Sequence, residues 1–293
     1  MSKPEQISRR HHFVPQFYLS AWNSDDEKGL WLYQRDFKDL VKSYRRPTRS
    51  VGYARDLYTL RPETNYSVLN YSEDSIEKDF FSILDDDAAK VHQKLIHSGL
   101  KDLSVEDRYV WALFLNSLIE RGPSRITEIE AADSGDTVRN ALIEKWAHSK
   151  FADKIDFDAM YKNSVRYVLV SRIKEEAVVE YFSKMRWAVI HLPIEGEHFI
   201  TSDKPVVINA GQEENPIHCL SVSISPNKLF IAHSDSSEFD EEFLRTLTVI
   251  HNIIIMERAE KYVVSSKKMD DGPHTKYSRA IHKFLAISSD KTP

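Results

Sequence analysis

Trp187-Ala188-Val189-Ile190-His191-Leu192 is the stretch at which the sequence changes its period. Upstream of it, apolar residues recur every three or four positions, as on one face of a helix. Downstream they come in short runs broken by Pro, Gly and Asn, as in strands joined by turns. The runs are Trp187–Leu192, Phe199–Thr201, Val206–Asn209, Leu220–Ile224 and Leu229–Ala232, and their spacing predicts an antiparallel sheet. A last helix is expected over Phe239–Arg258, with Phe243, Leu247, Ile250 and Ile254 on its inner side, and a strand at Tyr262–Ser265 follows.

Upstream, Ser72-Glu73-Asp74-Ser75 supplies cap-forming residues ahead of Ile76, Phe80, Ile83 and Leu84, which share a helical face. Ser104 with Asp107 reads as a capping box for a helix that carries Trp111, Leu115, Leu118 and Ile119 and stops at Gly122-Pro123. Helices are also expected near Thr137–Lys150 and Asp158–Lys184, with a loop at Ala131-Ala132-Asp133-Ser134-Gly135. Between Phe13 and Leu60, runs such as Leu30-Trp31-Leu32-Tyr33 are too densely apolar for a surface helix and fit short strands and a hairpin. The expected fold class is therefore α+β: short N-terminal strands and a C-terminal antiparallel sheet packed with a central helical bundle. One composite domain over 1–293 is expected, with a β-rich segment 1–65, a helical segment 66–186 and a sheet segment 187–293.

The composition narrows the partners. With 293 residues, 41% of them hydrophobic, and only 8 glycines, the chain can bury a core and is not a low-complexity polymer. Its 40 Lys+Arg stand against 45 Asp+Glu, a formal net charge of -5, so any nucleic-acid contact must be a local patch. A single cysteine, Cys219, excludes an intrachain disulfide and any multi-cysteine metal centre. The opening MSKPEQISRRHH has no apolar signal core and no run approaches the ~20 apolar residues of a membrane span, so a cytoplasmic protein without a membrane partner is expected. Dinucleotide, P-loop, α/β-hydrolase and zincin motifs are all missing.

Two strings carry chemistry. Arg9-Arg10-His11-His12-Phe13-Val14-Pro15-Gln16-Phe17-Tyr18-Leu19 packs histidines, arginines, a glutamine and a tyrosine together. In an extended chain His11 and His12 point to opposite faces, so one would be the working histidine and the other would orient the loop. Phe199-Ile200-Thr201-Ser202-Asp203-Lys204-Pro205-Val206-Val207 places Ser202 and Asp203 at a strand end, where a carboxylate serves as a metal ligand, orients a histidine, or closes a turn before Pro205. A third feature is Lys42, Arg45, Arg46, Arg49, Arg55 and Arg61 interleaved with Tyr44, Tyr53 and Tyr58. It reads either as a patch for nucleic acid or a nucleotide, or as a solvated loop whose arginines pair with acids such as Asp85-Asp86-Asp87.

Together the strings resemble the bacterial domain of unknown function 4238 family, marked by HHxxP near the N-terminus and SDxP later. Here these are His11-His12-Phe13-Val14-Pro15 and Ser202-Asp203-Lys204-Pro205. Gln16-Phe17-Tyr18-Leu19, Asp56-Leu57-Tyr58, Arg121 and Arg125 around Gly122-Pro123, and Asn252 before Ala259 and Tyr262 also look like family positions. Lys204 stands where a small polar residue is the family's expectation. The resemblance implies which residues belong together and no activity.

On this basis the candidate catalytic residues are His11, His12 and Asp203, with His12 and Asp203 as candidate ligands of a divalent metal ion. Arg10, Gln16, Tyr18, Arg45, Arg46, Ser202 and Asn252 are candidate binding residues. The expected function is metal-dependent phosphodiester hydrolysis on nucleic acid or a nucleotide, in a bacterial stress or defence setting. The rival is a non-catalytic ligand-binding or protein-interaction module in which Arg10, His12 and Asp203 form a structural network.

Overall fold

The computed structural model describes residues 9–24, 29–35, 41–61, 72–133, 137–150, 152–192, 198–210, 217–234 and 241–269, with side chains described throughout except at 35, 210, 217, 218 and 241–249. The first segment gives β1 (Arg10–His12), α1 (Gln16–Leu19), β2 (Leu30–Arg35), β3 (Val41–Arg46) and β4 (Tyr53–Arg55). The middle gives α2 (Ser82–Ser98), preceded by a π-helical turn at Glu77–Phe81, then α3 (Val105–Glu120), α4 (Pro123–Ala132), α5 (Thr137–Trp146), α6 (Phe157–Ile173) and α7 (Glu176–Lys184). The last gives β5 (Arg186–His191), β6 (Thr201–Ser202), β7 (Val206–Ala210), β8 (Ile217–Ser225), β9 (Lys228–His233), α8 (Glu241–Arg258) and β10 (Tyr262–Ser265). The fold is α+β, with antiparallel sheets and a helical middle.

β1 and β4 form a two-stranded ribbon, and the other strands form two four-stranded sheets ordered β3-β2-β10-β6 and β5-β9-β8-β7. The first of these draws on both ends of the chain: Leu32 faces Val264 across the β2/β10 ladder, and Ser202 faces Val263 across β6/β10. The SDxP string is thereby attached, through β10, to the N-terminal strand β2.

In β8, Leu220, Val222 and Ile224 enter the main core with Trp111, Phe114 and Phe230. The alternate residues Ser221 and Ser223 are also buried, because α8 covers the face that an antiparallel strand of this pattern normally gives to water. His251 of α8 bonds both, Nδ1 to Ser221 Oγ at 2.9 Å and Nε2 to Ser223 Oγ at 2.8 Å. The α8 face turned inward is therefore His251, Asn252, Ile255 and Met256, whereas Ile250, expected inside, is 43% exposed. Ile254 packs partly buried against the same cluster as Ile255 and Met256, and the side chains of Phe243 and Leu247 lie outside the described residues.

The helical middle departs from its sequence pattern at two points. Gly122-Pro123 does end α3, but Pro123 also opens α4 at its first position, where the missing N–H costs nothing. The helix expected over Asp158–Lys184 is broken between α6 and α7, and Asn116 of α3 caps the break by donating to the carbonyls of Arg172 and Ile173 at 2.9 and 2.8 Å. The capping box of α3, between Ser104 and Asp107, is present as expected. Of the loop expected at 131–135, Ala131 and Ala132 instead close α4, and residues 134 and 135 lie outside the described residues. Among the described residues no helix is long and apolar enough to cross a membrane.

Candidate functional site

The β1/β4 register sets the two histidines apart. Arg10 faces Arg55, His11 faces Ala54 and His12 faces Tyr53, so Arg10, His12, Tyr53 and Arg55 share one face and His11 takes the other. His11 is fully buried, stacked on the Tyr58 ring at 5.5 Å, and its Nδ1 accepts the Tyr58 backbone N–H at 2.8 Å. Accepting at Nδ1 puts the ring proton on Nε2, which leaves His11 no lone pair for a metal or a substrate proton. It holds instead the turn after β4, where Asp56 adopts a positive φ of 55°. On His12, burial lowers the pKa to about 4 against a hydrogen bond to the Arg49 carbonyl, and the nearby Arg121, Arg10 and His11 lower it further. Its Nε2 is buried without a hydrogen-bond partner, so His12 carries the open imidazole nitrogen of the pair.

Behind the ribbon lies a buried hub at Arg121, the residue that caps α3. Its side chain is 0% exposed; Nε donates to the Phe13 carbonyl at 3.0 Å, Nη1 pairs with Asp85 at 2.9 Å, and the guanidinium lies over Phe81 at 5.5 Å. The Tyr58 hydroxyl donates to the Arg121 carbonyl at 2.5 Å. Burial raises Glu77 to about 7 despite the pull of Arg121, helped by Asp85 and Asp74. Arg121 therefore ties the HHxxP string to the acidic start of α2.

The SDxP string is built into backbone ties of its own. Asp203 is 7% exposed, and its two oxygens accept the N–H groups of Glu260 (3.0 Å) and Lys261 (2.6 Å) between α8 and β10. Burial raises its pKa to about 6, the two N–H bonds oppose that rise, and the charge of Glu260 adds to it. Ser202 Oγ accepts from Lys204 N at 3.1 Å, closing the turn before Pro205. Asn252 accepts from Ile200 N at 3.2 Å and donates to the His198 carbonyl at 2.9 Å. Tyr18 joins the two strings directly: its hydroxyl donates to the Ser223 carbonyl and bonds Thr201 Oγ1, both at 2.8 Å.

These ties frame a cleft of about 170 Å³. Phe13, Leu118, Ile119, Val206 and Ile208 give it an apolar floor, and Asp203 and the Gly122-Pro123-Ser124 opening of α4 line its side. Its rim carries Arg125, Arg258, Lys204 and Lys261 against Glu128 and Glu260. Arg125 is held by Glu120 at 3.2 Å and Glu128 at 2.5 Å, and Lys204 by Glu260 at 2.5 Å. Arg258 has no ion pair or hydrogen bond among the described residues, and its pKa is lowered by burial and by the charge of Arg125.

Phe13 and Asp203 thus bring the two strings to one cleft, whereas the imidazoles of His11 and His12 do not line it. Among the described residues no three His, Cys, Asp or Glu side chains are grouped to hold a metal ion. Of the other candidates, Gln16 is exposed at the start of α1 and Arg10 lies over Tyr53 at 5.1 Å. Arg45 reaches Ser24 and lies over Trp31, and Arg46 lies over Tyr44. Arg258 and Lys261 escape sequence reasoning because they belong to no motif and meet the cleft only through the α8-to-β10 turn.

A family model described as "Protein of unknown function (DUF4238)" matches residues 10–269, and the chain belongs to that family. No curated protein and no solved structure matches.

Proposed function

We propose that the cleft binds a small ligand with an apolar body and an anionic, phosphate-type head. The observation that carries this reading is Arg258, a solvent-accessible guanidinium on the cleft rim with no acidic partner among the described residues, near the like charge of Arg125. Arg125 is already flanked by Glu120 and Glu128, whereas Arg258 brings a positive charge without an acidic partner to the cleft, and the N–H groups at the start of α4 add a partial positive charge there. Phe13, Leu118 and Val206 suit an apolar body beside that head. In this reading His11, Asp203, Asn252 and Arg121 position the walls.

A second reading, phosphodiester hydrolysis, draws on one specific feature: Asp203 lines the cleft with its pKa raised to about 6, where a carboxyl can exchange a proton near neutral pH. A divalent metal bound by Asp203 would complete its shell with phosphate oxygens and water.

Phenyl phosphate tests both readings. Calorimetric titration should show binding that inorganic phosphate matches only weakly and benzyl alcohol not at all, and Arg258→Gln should weaken it about tenfold or more. Equal affinity of wild type and Arg258→Gln would remove the cleft reading. Release of nitrophenol from bis(nitrophenyl) phosphate with Mn²⁺, lost in Asp203→Asn, would select hydrolysis over binding alone.

A further inference from the structure

We propose that the exposed face of the β1/β4 ribbon, with the edge strand β3, is a track for single-stranded nucleic acid beside the cleft. On the ribbon, Arg10, Tyr53 and Arg55 share one face, and the Arg10 guanidinium lies 5.1 Å from the Tyr53 ring centre. On β3, alternation places Lys42, Tyr44 and Arg46 on one face, with Arg46 5.1 Å from the Tyr44 ring centre, and β3 lies at the edge of its sheet. Arg49 is exposed on the turn that joins β3 to β4.

Arg10, Arg46 and Arg49 have no carboxylate partner among the described residues. Of the acids Asp85-Asp86-Asp87, Asp85 is engaged with Arg121 and Asp87 with Lys90. Among the described residues Asp56 opposes the charge, shared between Arg9 at 3.0 Å and Arg55 at 3.5 Å, and Glu73 stands 3.8 Å from Arg9. Charge alone fits any polyanion, but repeated guanidinium–aromatic plates offer stacking faces for unpaired bases, which a duplex hides and an acidic peptide lacks. Arg10 lies three residues before Phe13, at most about 10 Å along the chain, so the ribbon is a neighbour of the cleft and a strand bound on it has a phosphate within reach of the cleft rim. Only this last step rests on the cleft reading; the affinity of the track does not.

The test is fluorescence anisotropy with a labelled oligothymidylate of about 20 nucleotides, a duplex of equal length, and vesicles containing phosphatidylserine. Single-stranded binding should fall steeply as salt rises. Arg46→Gln with Arg10→Gln should weaken it about tenfold or more while leaving phenyl phosphate affinity unchanged, and Tyr44→Leu should weaken it with no change in charge. Arg258→Gln should do the reverse, losing phenyl phosphate and keeping most oligonucleotide affinity. Absent binding at low salt, equal or tighter binding to the duplex or the vesicles, or indifference to the Arg10 and Arg46 substitutions would overturn the proposal.

Discussion

Arg121 and Arg258 show what the same side chain does in two settings. Arg121 is enclosed, paired with Asp85, and bonded to the backbone of the HHxxP string. Arg258 is exposed at the end of α8, carries no acidic partner among the described residues and lies near the charge of Arg125. A guanidinium that is paired and bonded inside the fold holds chain segments together, whereas one left unpaired at a cleft is available to a ligand. The residues of the two strings and their partners divide along the same line. His11, Tyr18, Arg121, Asp203 and Asn252 act mainly as ties, and the open groups lie beside them.

The largest way to break the contrast is Arg121→Ala. It strands Asp85, uncouples Phe13 from α3 and leaves a void beside Phe81 and Phe114, so a loss of about 3–5 kcal/mol is expected, against less than about 0.5 kcal/mol for Arg258→Ala. Thermal unfolding should show a fall on the order of 10 °C for the first and almost none for the second. Equal effects would erase the distinction between tie and open group.

Asp203 sharpens it through pH. Its folded pKa of about 6 lies above the ordinary 3.8, so the native state holds the proton more tightly than the unfolded chain and stability falls as pH rises from about 4 to about 6. Two units correspond to roughly 3 kcal/mol. In urea unfolding, wild type should therefore lose stability relative to Asp203→Asn across that window and run parallel to it above about pH 7. His12 and His92, each lowered to about 4, act in the opposite sense: their contribution is fully present above 6.5 and is lost as pH falls toward 4. Both variants share those histidines, so the difference isolates Asp203.

Among the ties, the smallest expected effect is that of Tyr18→Phe. It removes one hydroxyl bonded to Thr201 Oγ1 and the Ser223 carbonyl, and should cost about 1–3 kcal/mol in chemical unfolding without changing phenyl phosphate affinity. A loss of affinity with unchanged stability would place Tyr18 among the open groups.

Much of this architecture is legible in the residues, and what is not has identifiable causes. Tyr262–Ser265 reads as a strand from its own pattern, and the Ser104/Asp107 box announces α3, because both signals are local. The α6/α7 break carries no Gly or Pro; it depends on Asn116 reaching over from α3, a tertiary contact. Val41–Arg46 falls in the stretch read as short strands and a hairpin, and although its charges alone also fit a solvated loop, β2 pairs with it along its whole length. Ser221 and Ser223 read as solvent-facing until His251 arrives from α8. In the site, the sequence points to His11, His12 and Asp203 as unusual, but whether a lone pair is spent or open is decided by partners far away in the chain, Tyr58 for His11 and Glu260 with Lys261 for Asp203. Arg258 leaves no trace in any motif, because what distinguishes it is the lack of a partner.

The most direct test of the cleft is a crystal of the wild-type protein soaked in tungstate, a tetrahedral phosphate mimic whose tungsten scatters anomalously. The account predicts an anomalous peak between the Arg258 guanidinium and the Gly122-Pro123-Ser124 opening of α4, absent in Arg258→Gln crystals. A cleft without the peak in the wild type, or the same peak in the variant, would contradict it.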